Sequence, residues 1–207
     1  MNSLEYYSNH LDDYLDELRQ FTAIETPTGN LPLLNRAADF LMERVVSLAD
    51  VERSMLPDHG PLLRIVREGP GVRVLLLGHF DTVWPVGSWP NLWRVDQGRA
   101  FGPGVYDMKG GLLFIVWLLR FLEQHGLSHP SIEALFNSDE EIGSPGTRSF
   151  IEEAARRADV VLVLEPTNLE GSLKLARKGS GEYVVTIHGR SAHQGVEPEL
   201  GVNAVVE

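Results

Sequence analysis

Two kinds of hydrophobic pattern alternate along the chain. Residues 4–24 and 31–48 place apolar side chains three or four positions apart, which predicts two amphipathic helices. The segment between them contains Pro and Gly and predicts a loop. Two further helical patterns follow at residues 109–125 and 147–157.

The second pattern is a short, nearly continuous apolar run. It predicts four strands, at residues 62–66, 72–78, 132–137 and 160–164. The strings VLLLG and VVLVL within these runs are apolar enough for strands that are buried on both faces. Because strands alternate with helices, we predict an α/β fold with a mixed, mostly parallel sheet that is flanked by helices.

The pattern changes after residue 172. Residues 173–177 and 183–188 predict two more strands, and residues 202–207 predict the start of a helix. No helix-stop signal follows, so we expect the chain to be truncated relative to its natural product. We therefore predict one domain at residues 1–172 and the beginning of a smaller α+β domain at residues 173–207.

Composition narrows the chemistry. The 207 residues are 43% hydrophobic and 23% charged, as in folded proteins rather than disordered ones. The chain contains no Cys, which excludes disulfides and thiolate metal sites and leaves His, Asp and Glu as metal ligands. Such ligands favour zinc, manganese or cobalt. The net charge of −11 argues against a nucleic-acid partner, because phosphate contacts need basic patches.

Export and membrane signals are also missing from the sequence. The N-terminus has no basic start followed by an apolar core, and no apolar run approaches the ~20 residues of a membrane span. We therefore expect no membrane partner and a cytoplasmic location.

Polar clusters lie where the predicted strands end and before the third helix. Functional groups in α/β sheets gather at the carboxyl ends of the strands, so four such clusters indicate one shared centre. Taken singly, each residue has a plain structural alternative as a surface, turn or loop residue. The clusters carry these candidate site residues: His79 and Asp81, Asp107, Glu140 and Glu141, and Glu165.

This set of residue types suits a two-metal hydrolase. Two neighbouring cations need a bridging carboxylate together with His and carboxylate ligands at each metal. A further carboxylate must stay off the metals and take a proton from the attacking water. The adjacent pair Glu140 and Glu141 fits this division, and Asp81 is placed to orient His79 by accepting a hydrogen bond from its ring.

Five strings together resemble a known family of zinc metallopeptidases. They are GHFDTV, GPGVYDMKGG, NSDEEIGS, EPT and GRSAHQGVEPELGVNA, in this order. The family includes carboxypeptidase G, aminoacylase, acetylornithine deacetylase and succinyl-diaminopimelate desuccinylase. The strings LFNSDEE and EPELGVNA resemble its glutamate-releasing carboxypeptidases most. The resemblance implies a phosphorylase/hydrolase-like zinc-peptidase catalytic domain, followed by the beginning of a lid or dimerisation domain.

The resemblance implies two zinc ions in a complete active site, with cobalt or manganese as possible substitutes. His79, Asp107 and Glu165 would bind the first zinc, and Asp107 and Glu141 the second. The family's second zinc takes a further His from a later part of the catalytic domain, which this chain lacks. The family also has a cis peptide after the bridging Asp, here between Asp107 and Met108.

The catalytic roles follow from the same resemblance. Glu140 would be the general base and later the general acid, and Asp81 would orient His79. His193 would belong to the lid domain, reach the active site of a partner subunit and stabilise the oxyanion. The whole protein is therefore expected to be a homodimer through its lid domain.

The implied function is zinc-dependent hydrolysis of amide bonds. The substrate would be an N-acyl amino acid or short peptide, and the product a C-terminal amino acid of the glutamate type. The alternatives are a deacylase of acetylated or succinylated amino acids and a catalytically incomplete fragment of such an enzyme. We expect little activity from the 207 residues alone.

Three tryptophans, Trp84, Trp89 and Trp93, fall in one loop after the second predicted strand. We expect them to pack over the sheet, with stacking against substrate as the alternative.

Overall fold

The structure, a computed structural model, describes residues 2–168, 170–176, 178–179, 181 and 183–206. These residues belong to two compact units, residues 1–166 and residues 167–207. The domain boundary predicted after residue 172 stays a prediction. Among the described residues, no helix is both long and apolar enough to cross a membrane.

The N-terminal region of the first unit is helical, but the helix predicted at residues 4–24 is wrong as one element. It is divided into α1, Ser3–Asn9, and α2, Leu11–Thr22, with His10 between them in a non-helical conformation. The ring of His10 turns back on the first helix, where its Nδ1 lies 2.8 Å from the carbonyl oxygen of Tyr6. Helix α3 spans Leu31–Val45 and is capped at its N-terminus by Asn30, whose side chain accepts a hydrogen bond from the N–H of Leu33.

The centre of the first unit is a five-stranded mixed sheet, which confirms the predicted fold class. Its strands are β1, Asp50–Leu56; β2, Gly60–Arg67; β3, Arg73–His79; β6, Ser131–Asn137; and β7, Val160–Val163. Their order is β1-β2-β6-β3-β7. The pairs β1–β2 and β2–β6 are antiparallel, whereas β6–β3 and β3–β7 are parallel. Strands β4, Arg94–Asp96, and β5, Arg99–Phe101, form a separate hairpin.

Helices cover both faces of this sheet. Helices α2, α3 and α4, Gly110–His125, pack on one face around fully buried residues such as Phe136. Helix α5, Arg148–Arg157, packs on the other face through Ala154, against Leu75 and Leu135. Each fully buried Leu or Phe stabilises the fold by about 1.5–3 kcal/mol, so the larger cluster under α2–α4 holds the sheet in place.

Strand β7 forms where it was predicted, but the prediction that it is buried is wrong. Its four apolar side chains are between 42% and 56% exposed. The strand lies at the edge of the sheet, and its one strand partner among the described residues is β3.

The described residues of the second unit, which spans residues 167–207, have little regular structure. The described parts of the two predicted strands, 173–176 and 183–188, form no strand, and Arg177 lies outside the described residues. The described part of the predicted C-terminal helix is not helical: Val202 forms an isolated bridge with Arg190, and residues 204–206 form a turn. The reason is that β-propensity depends on burial against neighbouring side chains. As expected for segments with too few packing partners, five apolar residues are 42–92% exposed: Val184, Ile187, Val202, Val205 and Val206.

Candidate active site

Three parallel strands bring most of the candidate residues to one edge of the sheet. Strand β3 ends at His79, which lies beside Asn137 at the end of β6. Glu140 and Glu141 follow in a short helical turn, and Glu165 lies two residues beyond the end of β7. Because these strands run in the same direction, the predicted clusters meet at their carboxyl ends.

Asp107 enters the site on an irregular turn that precedes α4. The turn spans Val105–Lys109, and the peptide between Asp107 and Met108 is cis, as predicted. Gly104 precedes it with a φ of +75°, and a Cβ there would lie 2.8 Å from the Cγ2 atom of Thr82. Glycine is therefore required at the point where the chain passes Thr82 and enters this turn.

The carboxylates converge on the ring of His79. Its Nε2 atom lies 3.1 Å from Asp107 Oδ1, 3.2 Å from Glu165 Oε1 and 3.8 Å from Glu140 Oε2. The His79 side chain is only 2% exposed, whereas the carboxylates of Asp107, Glu140 and Glu165 are 56%, 45% and 28% exposed. The imidazole of His79 is thus a buried ligand candidate surrounded by more exposed carboxylates.

The donor set fits divalent metal ions. Ligand atoms lie within 4.8 Å of one another in two overlapping groups, His79 with Glu140 and Glu165, and His79 with Asp107 and Glu141. One imidazole nitrogen with several carboxylate oxygens is a ligand set for zinc, manganese or cobalt. A cation also offsets the repulsion among four neighbouring carboxylates. The structure thus brings the four predicted metal ligands and the predicted base together, while their division between two metals stays a prediction.

Asp81 connects His79 to the turn that carries Glu140 and Glu141. Its fully buried carboxylate accepts hydrogen bonds from the main-chain N–H groups of Glu140 and Glu141, both at 3.2 Å, and from the Thr28 hydroxyl at 2.8 Å. The Nδ1 atom of His79 lies 3.0 Å from the carbonyl oxygen of Asp81 and 3.3 Å from its Oδ1. Asp81 thus contacts Nδ1 of His79 and holds the main chain of the turn that carries both glutamates, while its role in orienting His79 stays a prediction.

Electrostatics at the site shift three pKa values. Burial lowers the pKa of His79, but hydrogen bonds to Asp107, Asp81 and Glu165 outweigh it and raise this pKa to about 12. Burial raises the pKa of Glu140 and of Glu141, and the neighbouring carboxylates add to the rise against the opposing effect of His79. A raised carboxyl pKa brings the group closer to neutral pH, where a general acid–base works best.

Three supporting residues were not predicted from the sequence. Thr28 reaches Asp81 from a loop 53 residues away, which no local pattern reveals. Asp139 is fully buried and accepts hydrogen bonds from Gly146 N–H and the Thr147 hydroxyl, which closes the loop behind the glutamates. Lys109 is the one of the three that the sequence could have revealed, because a single cation between apolar segments indicates a buried charge with a specific partner.

Lys109 anchors the end of the turn that carries Asp107 to the loop after α2. Its side chain is fully buried, and Nζ donates a hydrogen bond to the carbonyl oxygen of Ile24 at 2.7 Å. Burial lowers its pKa to about 7, against the opposing effect of the Glu25 charge.

His193 belongs to the second unit. It is exposed, and its Nδ1 accepts a hydrogen bond from Gly195 N–H at 3.2 Å. Its role in a partner's active site stays a prediction.

Comparison with known proteins places this geometry in a family. Residues 75–207 match peptidase family M20/M25/M40. Carboxypeptidase G2 of Pseudomonas sp. (strain RS-16) is 38% identical over 197 residues, which cover 92% of this chain and 48% of that protein. Acetylornithine deacetylase of Proteus mirabilis (strain HI4320) is 34% identical over 190 residues, 89% of this chain and 47% of that protein. The chain thus spans about half the length of the curated relatives it matches.

Solved structures share the fold. Aminopeptidase PepT from Bacillus cereus aligns with a TM-score of 0.68 at 21% identity, over 93% of this chain and 53% of that one. An M20 family metallo-carboxypeptidase, Sso-CP2 from Sulfolobus solfataricus, aligns with a TM-score of 0.63 at 20% identity, over 74% and 37% of the two chains.

Proposed function

Because the chain belongs to peptidase family M20/M25/M40, we propose that it forms part of a zinc-dependent hydrolase of amide bonds. The proposed substrate is an N-acyl amino acid or short peptide, and the proposed product is a C-terminal amino acid of the glutamate type. The similarity to carboxypeptidase G2 supports this choice. The similarity to acetylornithine deacetylase supports the second candidate, a deacylase of acetylated or succinylated amino acids.

The observation that carries the proposal is the ring of acids around a buried imidazole. His79, Asp107 and Glu165 would hold one zinc, since Nε2 of His79 lies within 3.2 Å of oxygens from both carboxylates. Asp107 and Glu141 would contribute to a second zinc. When bound, zinc polarises a carbonyl group and lowers the pKa of water at the site.

Glu140 is the proposed general base. Of the three carboxylates that face His79 Nε2, its oxygen is the most distant, at 3.8 Å against 3.1 Å for Asp107 and 3.2 Å for Glu165. It is also 45% exposed, so the side chain has room to face an incoming substrate. A Glu140 carboxylate oxygen would accept a proton from the attacking water and then pass that proton to the leaving nitrogen.

Asp81 supports both the proposed metal binding by His79 and the proposed proton transfer by Glu140. Its carboxylate accepts hydrogen bonds from the main-chain N–H groups of Glu140 and Glu141, so it holds the backbone of both residues in place. Its contacts to Nδ1 of His79 leave Nε2 directed toward the metal ligands.

Substitution of the two neighbouring glutamates tests the proposal. Glu140→Gln should leave the zinc content of the purified chain unchanged, whereas Glu141→Gln should lower it. Activity on an N-acyl-glutamate is measured with the 207-residue chain, where we expect little, and with any longer product of the same gene. In an active protein, Glu140→Gln should lower kcat by about 10²-fold or more, because proton transfer supplies 10²–10⁴. Equal loss of zinc in both variants would contradict the division of roles.

We also propose that the whole protein is cytoplasmic and dimerises through its second domain, with His193 acting in the partner's site. Sedimentation of the whole protein and a His193→Ala variant test the dimer. Loss of kcat without loss of dimer is expected from the variant, and a fully active monomer would contradict this part of the proposal.

A further inference from the structure

The turn between β1 and β2 packs against the loop that carries the two glutamates. We call residues 138–147 the glutamate loop. The fully buried Ser138 donates a hydrogen bond from its Oγ to the carbonyl oxygen of His59 at 2.8 Å. A Cβ on the next residue, Gly60, would lie only 2.9 Å from the same Oγ. The main chain at His59 is therefore held close to the start of the glutamate loop.

The imidazole of His59 contacts the other end of the glutamate loop. A Cβ on Gly146 would lie 2.6 Å from Cγ and 2.7 Å from Cδ2 of His59, closer than a Cβ approaches another heavy atom. The ring thus lies directly on the main chain of Gly146. The N–H of Gly146 donates a hydrogen bond to Oδ2 of Asp139 at 2.6 Å. The ring therefore packs on the residue that holds the Asp139 carboxylate.

His59 also faces this carboxylate directly. Its Nδ1 atom lies 3.7 Å from Oδ2 of Asp139. Nδ1 is buried and hydrogen-bonds to no described residue, although the side chain as a whole is 31% exposed. With a proton on Nδ1, the imidazole attracts the carboxylate, and the attraction is stronger because the carboxylate is fully buried away from water.

Asp139 controls the shape of the glutamate loop because it directly precedes Glu140. Its carboxylate also accepts a hydrogen bond from the Thr147 hydroxyl at 2.5 Å, and its carbonyl oxygen accepts one from the N–H of Ser144 at 2.8 Å. The loop has to hold two glutamates beside other carboxylates that repel them. Groups in a functional site must be held within about 0.5 Å of their productive positions, so the support behind them matters.

We propose that His59 is a positioning residue, whose ring holds Gly146 and Asp139 in place. Through them it sets where the carboxylates of Glu140 and Glu141 lie. The inference rests on the proposed function, because it takes Glu141 as a metal ligand and Glu140 as the base. The His59 side chain is partly exposed on a turn between two strands, so its replacement should alter the glutamate loop and leave the fold intact.

Two substitutions of nearly equal size test the contact with Asp139. Leu and Asn both branch at the γ atom, but only Asn has a polar atom near the position of Nδ1. In the metal-free 207-residue chain, His59→Leu should speed hydrogen exchange of the Glu140 and Glu141 main-chain N–H groups by about threefold or more, as expected for the loss of one partly exposed ion contact.

Zinc affinity is the second readout, measured by competition with a chelator. His59→Leu should weaken zinc binding by about threefold or more, but by less than the 10–100-fold typical of a direct partner of a metal ligand. His59→Asn should restore most of the zinc affinity and most of the protection from exchange. This rescue would not occur if the ring only filled space.

Gly146→Ala tests the packing of the ring independently of any change at His59. In the wild-type background the new Cβ would displace the ring, so exchange and zinc affinity should change as in His59→Leu. In the His59→Ala background the ring is gone, and Gly146→Ala should have little further effect, because residues in contact are coupled. Full additivity of the two changes would overturn the proposal.

His125→Leu is the matched control. His125 lies at the end of α4, where its Nδ1 is 3.0 Å from the carbonyl oxygen of Phe121. The control should leave exchange and zinc affinity unchanged, and circular dichroism should show that the variants are folded. If His59→Leu does not fold, His59→Asn and Gly146→Ala supply the comparison with wild type.

The two readouts separate this inference from the proposed function. Wild-type exchange and wild-type zinc affinity in His59→Leu would reject the positioning role and keep the metal site. Faster exchange with wild-type zinc affinity would also overturn the proposal, because His59 would then only stabilise the loop. Faster exchange in His59→Leu, in a chain that binds no zinc even as wild type, would reject the metal site and keep the hold of His59 on the glutamate loop.

Discussion

Asp81→Asn removes one charge from the centre of the hydrogen-bond network while preserving the size of the side chain. The Asp81 carboxylate is fully buried and is surrounded by donors: Oδ1 faces Glu140 N–H and Nδ1 of His79, and Oδ2 faces Glu141 N–H and the Thr28 hydroxyl. An Asn side chain has one oxygen. In either orientation, its NH₂ group therefore faces a main-chain N–H that loses its acceptor.

The magnitude follows from these bonds. A hydrogen bond to a charged group contributes about 1.5–3 kcal/mol, and a buried donor without an acceptor costs about 1–3 kcal/mol. We expect Asp81→Asn to lower the free energy of unfolding of the metal-free chain by about 2–4 kcal/mol. Loss of a group that orients a metal-binding His typically costs 10–100-fold in metal affinity, so zinc binding should weaken by that factor.

Urea unfolding and zinc competition with a chelator measure the two effects. Asp159→Asn is the control, because Asp159 also accepts a main-chain N–H, that of Arg73, but at an exposed position away from the site. It should change stability by less than about 1 kcal/mol and leave zinc affinity unchanged. Wild-type zinc affinity in Asp81→Asn would refute the proposal that Asp81 orients His79.

Two further predictions concern the supporting residues. Thr28→Val should weaken zinc binding and Thr28→Ser should restore it, because only the hydroxyl donates to Asp81; equal affinities in a chelator competition would contradict this. Lys109 has a pKa lowered by burial from 10.5 to about 7. Between about pH 7 and 10.5, Lys109 carries a proton in the unfolded chain but not in the folded chain. The free energy of unfolding of the wild type should therefore rise with pH relative to that of Lys109→Met, by about 1.4 kcal/mol per pH unit. Parallel stability profiles of the two proteins between pH 7 and 10 would contradict that prediction.

The sheet was predictable where burial on both faces gives a continuous apolar run, as in β3. Strand β1 was missed because it is an edge strand whose side chains are partly or fully exposed, so DVERSML carries no apolar run. The exposure of β7 was missed for the opposite reason: an apolar run shows that a strand suits a buried position but does not show what covers it.

The candidate site was predictable where its residues lie in short strings at strand ends. His79, Glu140 and Glu165 belong to this class, and parallel pairing of β3, β6 and β7 brings them together. The residues that support the site were not predictable. Thr28 donates a hydrogen bond to Asp81, but the two residues are 53 positions apart and no periodic pattern links their loops. The predicted cis peptide after Asp107 was confirmed, and it came from the family resemblance rather than from any local propensity.

The central claim is that His79, Asp107 and Glu165 hold a metal ion, and anomalous scattering at the zinc edge tests it most directly. Crystals of the chain are prepared with zinc and without chelator. The account predicts an anomalous peak about 2.0–2.2 Å from Nε2 of His79 and from an oxygen of each carboxylate. An ordered site with the three side chains in place and no peak between them would contradict it.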